Sequence, residues 1–195
     1  MTEVPFQLTG RPVLSRATVR RDEDAALDDP DRRSALWSAG RVLPVDQFGC
    51  APVLGQRTLG LPVALAYRPT EGELPESAVL LGERDGVGYW ATPITREDAA
   101  PPDWRRVWSG VRASADEQWV DLRSVGALLD ATDAGVFTTA SALFNWHRVA
   151  RFCARCGAPT RLERAGWTSR CTDCGREEYP RTDPAVICLV HDGIG

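Results

Sequence analysis

RFCARCGAPTRLERAGWTSRCTDCGREEYPRTDPAVICLV, residues 151–190, carries two Cys-x-x-Cys pairs fourteen residues apart, a Tyr-Pro step and then an apolar run. Glycine follows each pair at once, Gly157 after Cys156 and Gly175 after Cys174. Both pairs therefore read as tight knuckles, in which a residue of positive φ turns backbone N–H groups toward the thiolates. The spacing is that of a four-cysteine zinc ribbon, with Cys153, Cys156, Cys171 and Cys174 as the expected ligands. Four thiolates saturate a tetrahedral zinc ion and leave no position open for water, so the metal, one Zn2+ per chain, is expected to be structural. Two disulfides and a redox dithiol are the competing readings. The opening MTEVPFQLTGRP has no basic segment followed by an apolar one, so no export signal is read and a cytoplasmic location is expected, where disulfides are rare. A redox pair would not need a second pair at this distance.

Beyond the ribbon, Pro180 and Pro184 stiffen the exit, and AVICLV (185–190) reads as a strand apolar on both faces, the kind found inside a mixed or parallel sheet. Such a strand either docks on another sheet of this chain or belongs to a further domain. The solitary Cys50 and Cys188 sit among apolar neighbours and read as buried small hydrophobes. His147, six residues before Cys153, reads as the polar tip of a helix end, since four thiols already complete the metal set.

Upstream of the ribbon, WVDLRSVGALLDATDAGVFTTASALFNWHRVARFC (119–153) is helical in period. Val136, Ala140, Leu143, Phe144 and Ala150 form one apolar stripe, which predicts a helix over about 134–150 with Asp133 as its N-cap. A proline-rich joint, Ala99-Ala100-Pro101-Pro102, precedes this region, and Trp104, Trp108 and Trp119 near it are expected in the core. Between 41 and 94 the runs RVLPV, APVLG, LPVALAY and SAVLLGERDGVGYWATPI read as strands, with Asp85-Gly86 as a hairpin turn. In the acidic stretch RRDEDAALDDPDRRSALWSAG (20–40), Asp31 is expected to cap a short helix through Trp37. The expected class is α+β: an α+β domain over 1–147, the ribbon over 148–183, and a strand of a further domain over 184–195.

With 195 residues, 43% hydrophobic and 26% charged, the composition is that of an ordinary globular chain. No apolar run approaches the ~18 residues of a membrane span, so no membrane partner is expected. All 23 basic residues are arginine, and the formal net charge is −4. Acidic residues outnumber arginines over 1–147, and the reverse holds over 148–183. The excess at the ribbon is small, and four thiolates on one Zn2+ would reduce it further, far below a strong nucleic-acid footprint.

The segments LFNWHRVARFCARCGAPT and RCTDCGREEYPRTDPAVICLV closely resemble the central part of the NADH pyrophosphatases of the Nudix superfamily. The resemblance is strong over roughly 120–195 and architectural over 1–119. It implies an α+β domain, a four-cysteine ribbon and then a strand that begins the Nudix fold. It also implies hydrolysis of NADH or NAD+, or a related dinucleotide, to nicotinamide mononucleotide and AMP, removal of NAD caps from RNA, and a homodimer. The family signature G-x5-E-x7-R-E-U-x-E-E-x-G-U, whose glutamates bind Mg2+ or Mn2+, has no match within 1–195; the nearest string, GREEYPR (175–181), lacks its spacing. Since hydrolysing a pyrophosphate at neutral pH needs metal-bound carboxylates of this kind, residues 1–195 are expected to be the N-terminal and zinc-ribbon portion of a longer enzyme, inactive alone.

Two substrate contacts are carried over by the resemblance. Tyr179, before Pro180, is similar to a tyrosine that stacks on the nicotinamide from the neighbouring subunit, and Arg123 in VDLRSVG matches a family arginine contact. Some members have a glutamate five residues before the third cysteine, where this chain has Gly166. A rival reading is a stand-alone zinc-ribbon module for RNA or a protein partner, using the arginines between Arg148 and Arg181.

Overall fold

The computed structural model describes residues 18–20, 25–55, 63–97 and 117–181. A single turn, α1 (Ala25–Asp28), leads into α2 (Pro30–Ser38). Asp29, rather than Asp31, caps α2: its carboxylate accepts from the N–H groups of Asp31 and Arg32 at 2.9 and 3.2 Å. Pro30 at the first helical position presets φ and has no N–H to satisfy, which moves the cap one residue ahead of it.

Strands β1 (Arg41–Val45), β2 (Cys50–Leu54), β3 (Ala64–Leu65), β4 (Arg68–Pro69), β5 (Val79–Arg84) and β6 (Val87–Pro93) follow. The β5–β6 hairpin turns at Asp85-Gly86 as expected, with both residues at positive φ, 54° and 80°. The segment read as helical begins instead with a strand, β7 (Gln118–Asp121), antiparallel to β2 with Trp119 opposite Pro52. The Trp-Val pair favours a pleated surface. Helix starts only where Asp121 caps α3 (Leu122–Val125) by accepting from the Ser124 N–H.

The long helix α4 (Ala131–Val149) begins three residues earlier than the apolar stripe suggests, with Asp130 as its N-cap, accepting from the Asp133 N–H at 2.8 Å. Val136, Ala140 and Leu143 are buried as the stripe requires, together with Phe137; Phe144 is half-buried. The ribbon adds β8 (Thr160–Glu163), β9 (Thr168–Cys171) and β10 (Glu177–Glu178). The class is α+β, as read. The strand expected at 184–195 with its Cys188, the joint at 99–102, Trp104 and Trp108 lie outside the described residues. Trp119 is only half-buried, its ring under the Arg96 guanidinium at 4.4 Å, because β7 lies at the side of its sheet.

One sheet runs β4-β1-β6-β5, with β1 and β6 parallel and the other pairs antiparallel, and a second runs β3-β2-β7. Alternation along the first sheet sends side chains to two cores. Leu43, Val45, Val79, Leu81, Tyr89 and Ala91 face α4 and the second sheet, while Val42, Leu80 and Trp90 pack with Leu36 and Trp37 of α2. Trp90 is fully buried, edge-on to Trp37 at 5.5 Å, and its indole N–H donates to the Leu36 carbonyl. This sheet is covered on both faces, so its strands read as continuous apolar runs rather than clean alternations.

Asp133, freed from capping, ties α4 to the region of β3. Its carboxylate is buried and accepts from the Leu65 N–H and the Tyr67 hydroxyl, both at 2.8 Å. Burial pushes its carboxyl above the usual range, and those two donors work against the shift. Asp133→Ala is expected to lower the unfolding free energy by about 3 kcal/mol and Tyr67→Phe by about 1 kcal/mol, because hydrogen bonds to a charged acceptor are worth more than neutral ones. In urea melts of the zinc-loaded protein the double variant should lose less than the two losses combined, since both changes break one shared contact; full additivity would show that the two groups act separately.

Candidate metal centre and the adjoining cleft

The two knuckles face each other across the ribbon. Gly157 and Gly175 lie at φ 76° and 70°, the left-handed region expected after each Cys pair. The Gly157 N–H returns to the Cys153 carbonyl at 2.9 Å, and the Arg155 N–H reaches Cys153 Sγ at 3.4 Å. In the second knuckle the N–H groups of Asp173 and Cys174 reach Cys171 Sγ, also at 3.4 Å. The N–H groups of Cys156 and Arg155 hold the Cys153 thiol below its ordinary value, favouring the ligating thiolate.

The four sulfurs lie within 4.8 Å of one another, with Cys153–Cys174, Cys156–Cys171 and Cys156–Cys174 separations of 3.7, 3.4 and 3.6 Å. A tetrahedral Zn2+ with Zn–S of about 2.3 Å has S···S edges of about 3.8 Å, so the donor set fits that ion. The same separations are far above the ~2.05 Å of a disulfide. Cys153 and Cys171 are buried and Cys156 and Cys174 exposed. Cys50 is buried as read, with its thiol pushed up to about 12, chiefly by burial.

The ribbon is latched to the first sheet and to α4 by three residues whose role is not visible in the spacing of the cysteines. Trp167 Nε1 donates to the Leu80 carbonyl at 2.7 Å, and its ring joins both cores. His147 Nε2 donates to the Gly166 carbonyl at 2.7 Å, with the Phe144 and Trp146 rings beside the imidazole. Burial holds the imidazole below its ordinary value. His147 is thus a helix-end residue as read, with a defined partner. Gly166 has φ +88°, and a Cβ there would lie 2.7 Å from Val79 Cγ2. That contact accounts for glycine at the position where some family members have glutamate.

Tyr179 leaves β10 with its ring exposed and its hydroxyl on the Glu177 carboxylate. Glu177 also binds Arg170, which donates to Glu163 at 2.8 Å, and Glu163 accepts from Arg161 at 2.9 Å. Arg164 pairs with Asp28 at 2.9 Å. Arg123 is on α3, exposed, at the rim of a cleft of about 1250 Å³ between α4, the β1–β2 corner and Leu162 of the ribbon. Tyr179 does not line this cleft. Among the described residues, the two expected substrate contacts therefore do not line this cleft together. The corner is built by Asp46, a buried residue that sequence reading missed; its carboxylate accepts from the N–H groups of Phe48 and Cys50 at 2.9 Å and lies 3.5 Å from Arg96.

The fold and the centre define a class: an α+β domain carrying a four-cysteine zinc ribbon. Family models match in the same order, an NADH pyrophosphatase-like rudimentary NUDIX domain over residues 16–146 and the NADH pyrophosphatase zinc ribbon domain over 148–179. The chain belongs to the NADH pyrophosphatase family of Nudix proteins. It is 41% identical over 192 residues to the NAD-capped RNA hydrolase NudC of Mycobacterium tuberculosis (strain H37Rv), covering 97% of this chain and 56% of that protein. It is also 41% identical over 126 residues to Nudix hydrolase 19, chloroplastic, of Arabidopsis thaliana (60% of this chain, 27% of that one). Against the human NAD(P)H pyrophosphatase NUDT13, mitochondrial, identity is 39% over 75 residues (38% and 21%). The chain thus spans just over half the length of the mycobacterial relatives. No helix among the described residues is long and apolar enough to cross a membrane.

Two outcomes are expected. Chelating the metal should unfold the ribbon, releasing Trp167 to solvent and removing amide protection over 153–175, while protection in β1, β5 and β6 persists; structural zinc is worth roughly 10–16 kcal/mol to a ribbon-sized fold. Loss of protection everywhere at once would show that the domain depends on the metal as well. Gly166→Ala should destabilise the zinc-loaded protein by at least about 1–2 kcal/mol from its left-handed backbone alone, with a red shift of Trp167 emission as the latch opens.

Proposed function

We propose that these residues are the N-terminal and zinc-ribbon portion of a Nudix NAD(H) pyrophosphatase, which hydrolyses NADH or NAD+ to nicotinamide mononucleotide and AMP and accepts NAD-capped RNA. The observation that carries the reading is the 41% identity to a NAD-capped RNA hydrolase across 97% of this chain, supported by the two family matches in sequence order. In this reading the α+β domain covers 1–147, the ribbon 148–183 and the first strand of the Nudix domain 184–195. Cys153, Cys156, Cys171 and Cys174 hold the structural Zn2+. The enzyme works in the cytoplasm as a homodimer.

The division of labour follows from chemistry. Mg2+ or Mn2+, held by carboxylates of the Nudix signature, offsets phosphate charge and activates water; residues 1–195 contain no such signature. What this chain offers is a base-binding surface. The Tyr179 ring is 54% exposed while its hydroxyl is anchored to Glu177, so a flat π face is available to a heteroaromatic base. Arg123 offers a guanidinium to phosphate. Its separation from Tyr179 suits a homodimer in which the two side chains reach substrate from different subunits. The rival module reading draws little support, because Arg161, Arg164 and Arg170 of the ribbon are each paired with a carboxylate.

Residues 1–195 with Mg2+ or Mn2+ are expected to release no nicotinamide mononucleotide from NADH. In the enzyme that carries the Nudix signature after these residues, Tyr179→Ala should raise KM for NADH about tenfold, the worth of one aromatic stack, with zinc content retained. An unchanged KM and kcat would remove Tyr179 from the substrate site.

A further inference from the structure

The four sulfurs of the metal centre are not equivalent. Cys153 and Cys171 belong to buried residues, 4% and 3% exposed, whereas Cys156 and Cys174 are exposed to solvent. The buried pair also receives knuckle N–H groups, that of Arg155 on Cys153 Sγ and those of Asp173 and Cys174 on Cys171 Sγ, all at 3.4 Å. Such bonds draw electron density from a thiolate, and burial keeps reagents away from it. Cys156 and Cys174 come from different knuckles, yet their sulfurs lie only 3.6 Å apart.

A cysteine that ligates a metal is held as the thiolate, the form that oxidants attack, and its oxidation follows exposure. Among the described residues, Cys50 is the one cysteine outside the centre; it is buried, and burial pushes its thiol up to about 12, so it stays protonated and inert. Joining Cys156 to Cys174 requires their sulfurs to close to about 2.05 Å, the length of a disulfide. That movement is small against the span of the centre, in which all four sulfurs lie within 4.8 Å of one another.

We propose that Cys156 and Cys174 form an oxidative modification site, at which a hydroperoxide links the two knuckles by a disulfide and expels the metal. One exposed thiolate attacks a peroxide oxygen; the O–O bond breaks, hydroxide leaves and the sulfur becomes a sulfenic acid. The second exposed thiolate attacks that sulfur, the S–S bond forms, the S–O bond breaks and a second hydroxide leaves. Each hydroxide takes a proton from solvent. Two sulfurs are oxidised, the two peroxide oxygens are reduced, and the centre, left with Cys153 and Cys171, releases Zn2+. The ribbon thereby loses the tie that lies between the Trp167 latch and Tyr179, five residues beyond Cys174. The inference rests on the four-cysteine centre and goes beyond the hydrolytic reading, which it does not need.

Equimolar hydrogen peroxide, added to the reduced, zinc-loaded 195-residue protein beside a chromogenic zinc indicator, tests it. One Zn2+ and one disulfide per chain are expected. Peptide mapping after alkylation should place the bond between Cys156 and Cys174, with Cys153, Cys171 and Cys50 recovered as free thiols. Dithiothreitol followed by Zn2+ should restore the thiols and the Trp167 emission. Limiting iodoacetamide on the loaded protein, without peroxide, should modify Cys156 and Cys174 ahead of Cys153 and Cys171; this reads reactivity without substituting a ligand, a change that would itself unfold the ribbon. Cys50→Ser should release zinc at an unchanged rate. Zinc retained under excess peroxide, a disulfide within either knuckle, or equal alkylation of all four sulfurs overturns the proposal. None of these readouts uses NADH, so failure here leaves the hydrolytic reading standing, and an unchanged KM in Tyr179→Ala leaves this one standing.

Discussion

The hydrogen bond from the Trp167 indole to the Leu80 carbonyl is the contact on which the arrangement of the chain depends. β5 is the edge of its sheet, and the pairing of β5 with β6 shifts register between Leu80 and Gly82. An edge strand carries backbone groups with no strand to receive them. The ribbon fills this edge at Leu80, and the bridge between Arg20 and Glu83 fills it further along. Because the Trp167 ring also reaches both cores, the small zinc-dependent fold adds apolar surface to a domain that has its own. Gly166 makes the approach possible: any side chain there would push the ribbon off Val79.

Charge is distributed according to the same division. On the ribbon face, Arg161, Glu163, Arg170 and Glu177 alternate in sign and end at the Tyr179 hydroxyl. The Arg170 and Arg161 guanidinium groups hold the Glu163 carboxyl below the usual range. Exposed pairs of this kind contribute little to stability, but a chain of them restricts where the tyrosine ring points. In the cleft Asp46 and Asp121 are engaged in building turns. A modest net charge of −4 thus says nothing of how charges are arranged locally.

Much of the fold was legible. The β5–β6 hairpin announced itself through Asp85-Gly86, the α4 core through its apolar period, and the metal centre through cysteine spacing and the two knuckle glycines. The misplaced caps have one cause, the competition between neighbouring aspartates for a single capping role. Asp31 and Asp133 were the natural caps by position, yet Asp29 and Asp130 take the role. In the first case proline shifts the helix start. In the second, Asp133 is drawn away by donors on residues 65 and 67. β7 was hidden for a different reason, since four residues of strand joined directly to helix leave too short a period to detect.

The sequence by itself determined the α+β class, the set of four cysteines and the family, because cysteine spacing, glycine after each pair and apolar periodicity are local signals that survive without knowledge of distant neighbours. Only the tertiary structure decided where the ribbon sits, why residue 166 is glycine and which acids are spent in turns. Each of these depends on contacts between segments far apart in the chain, such as Trp167 with Leu80, His147 with Gly166 and Arg96 with Asp46. No local pattern encodes a partner that is supplied by another strand.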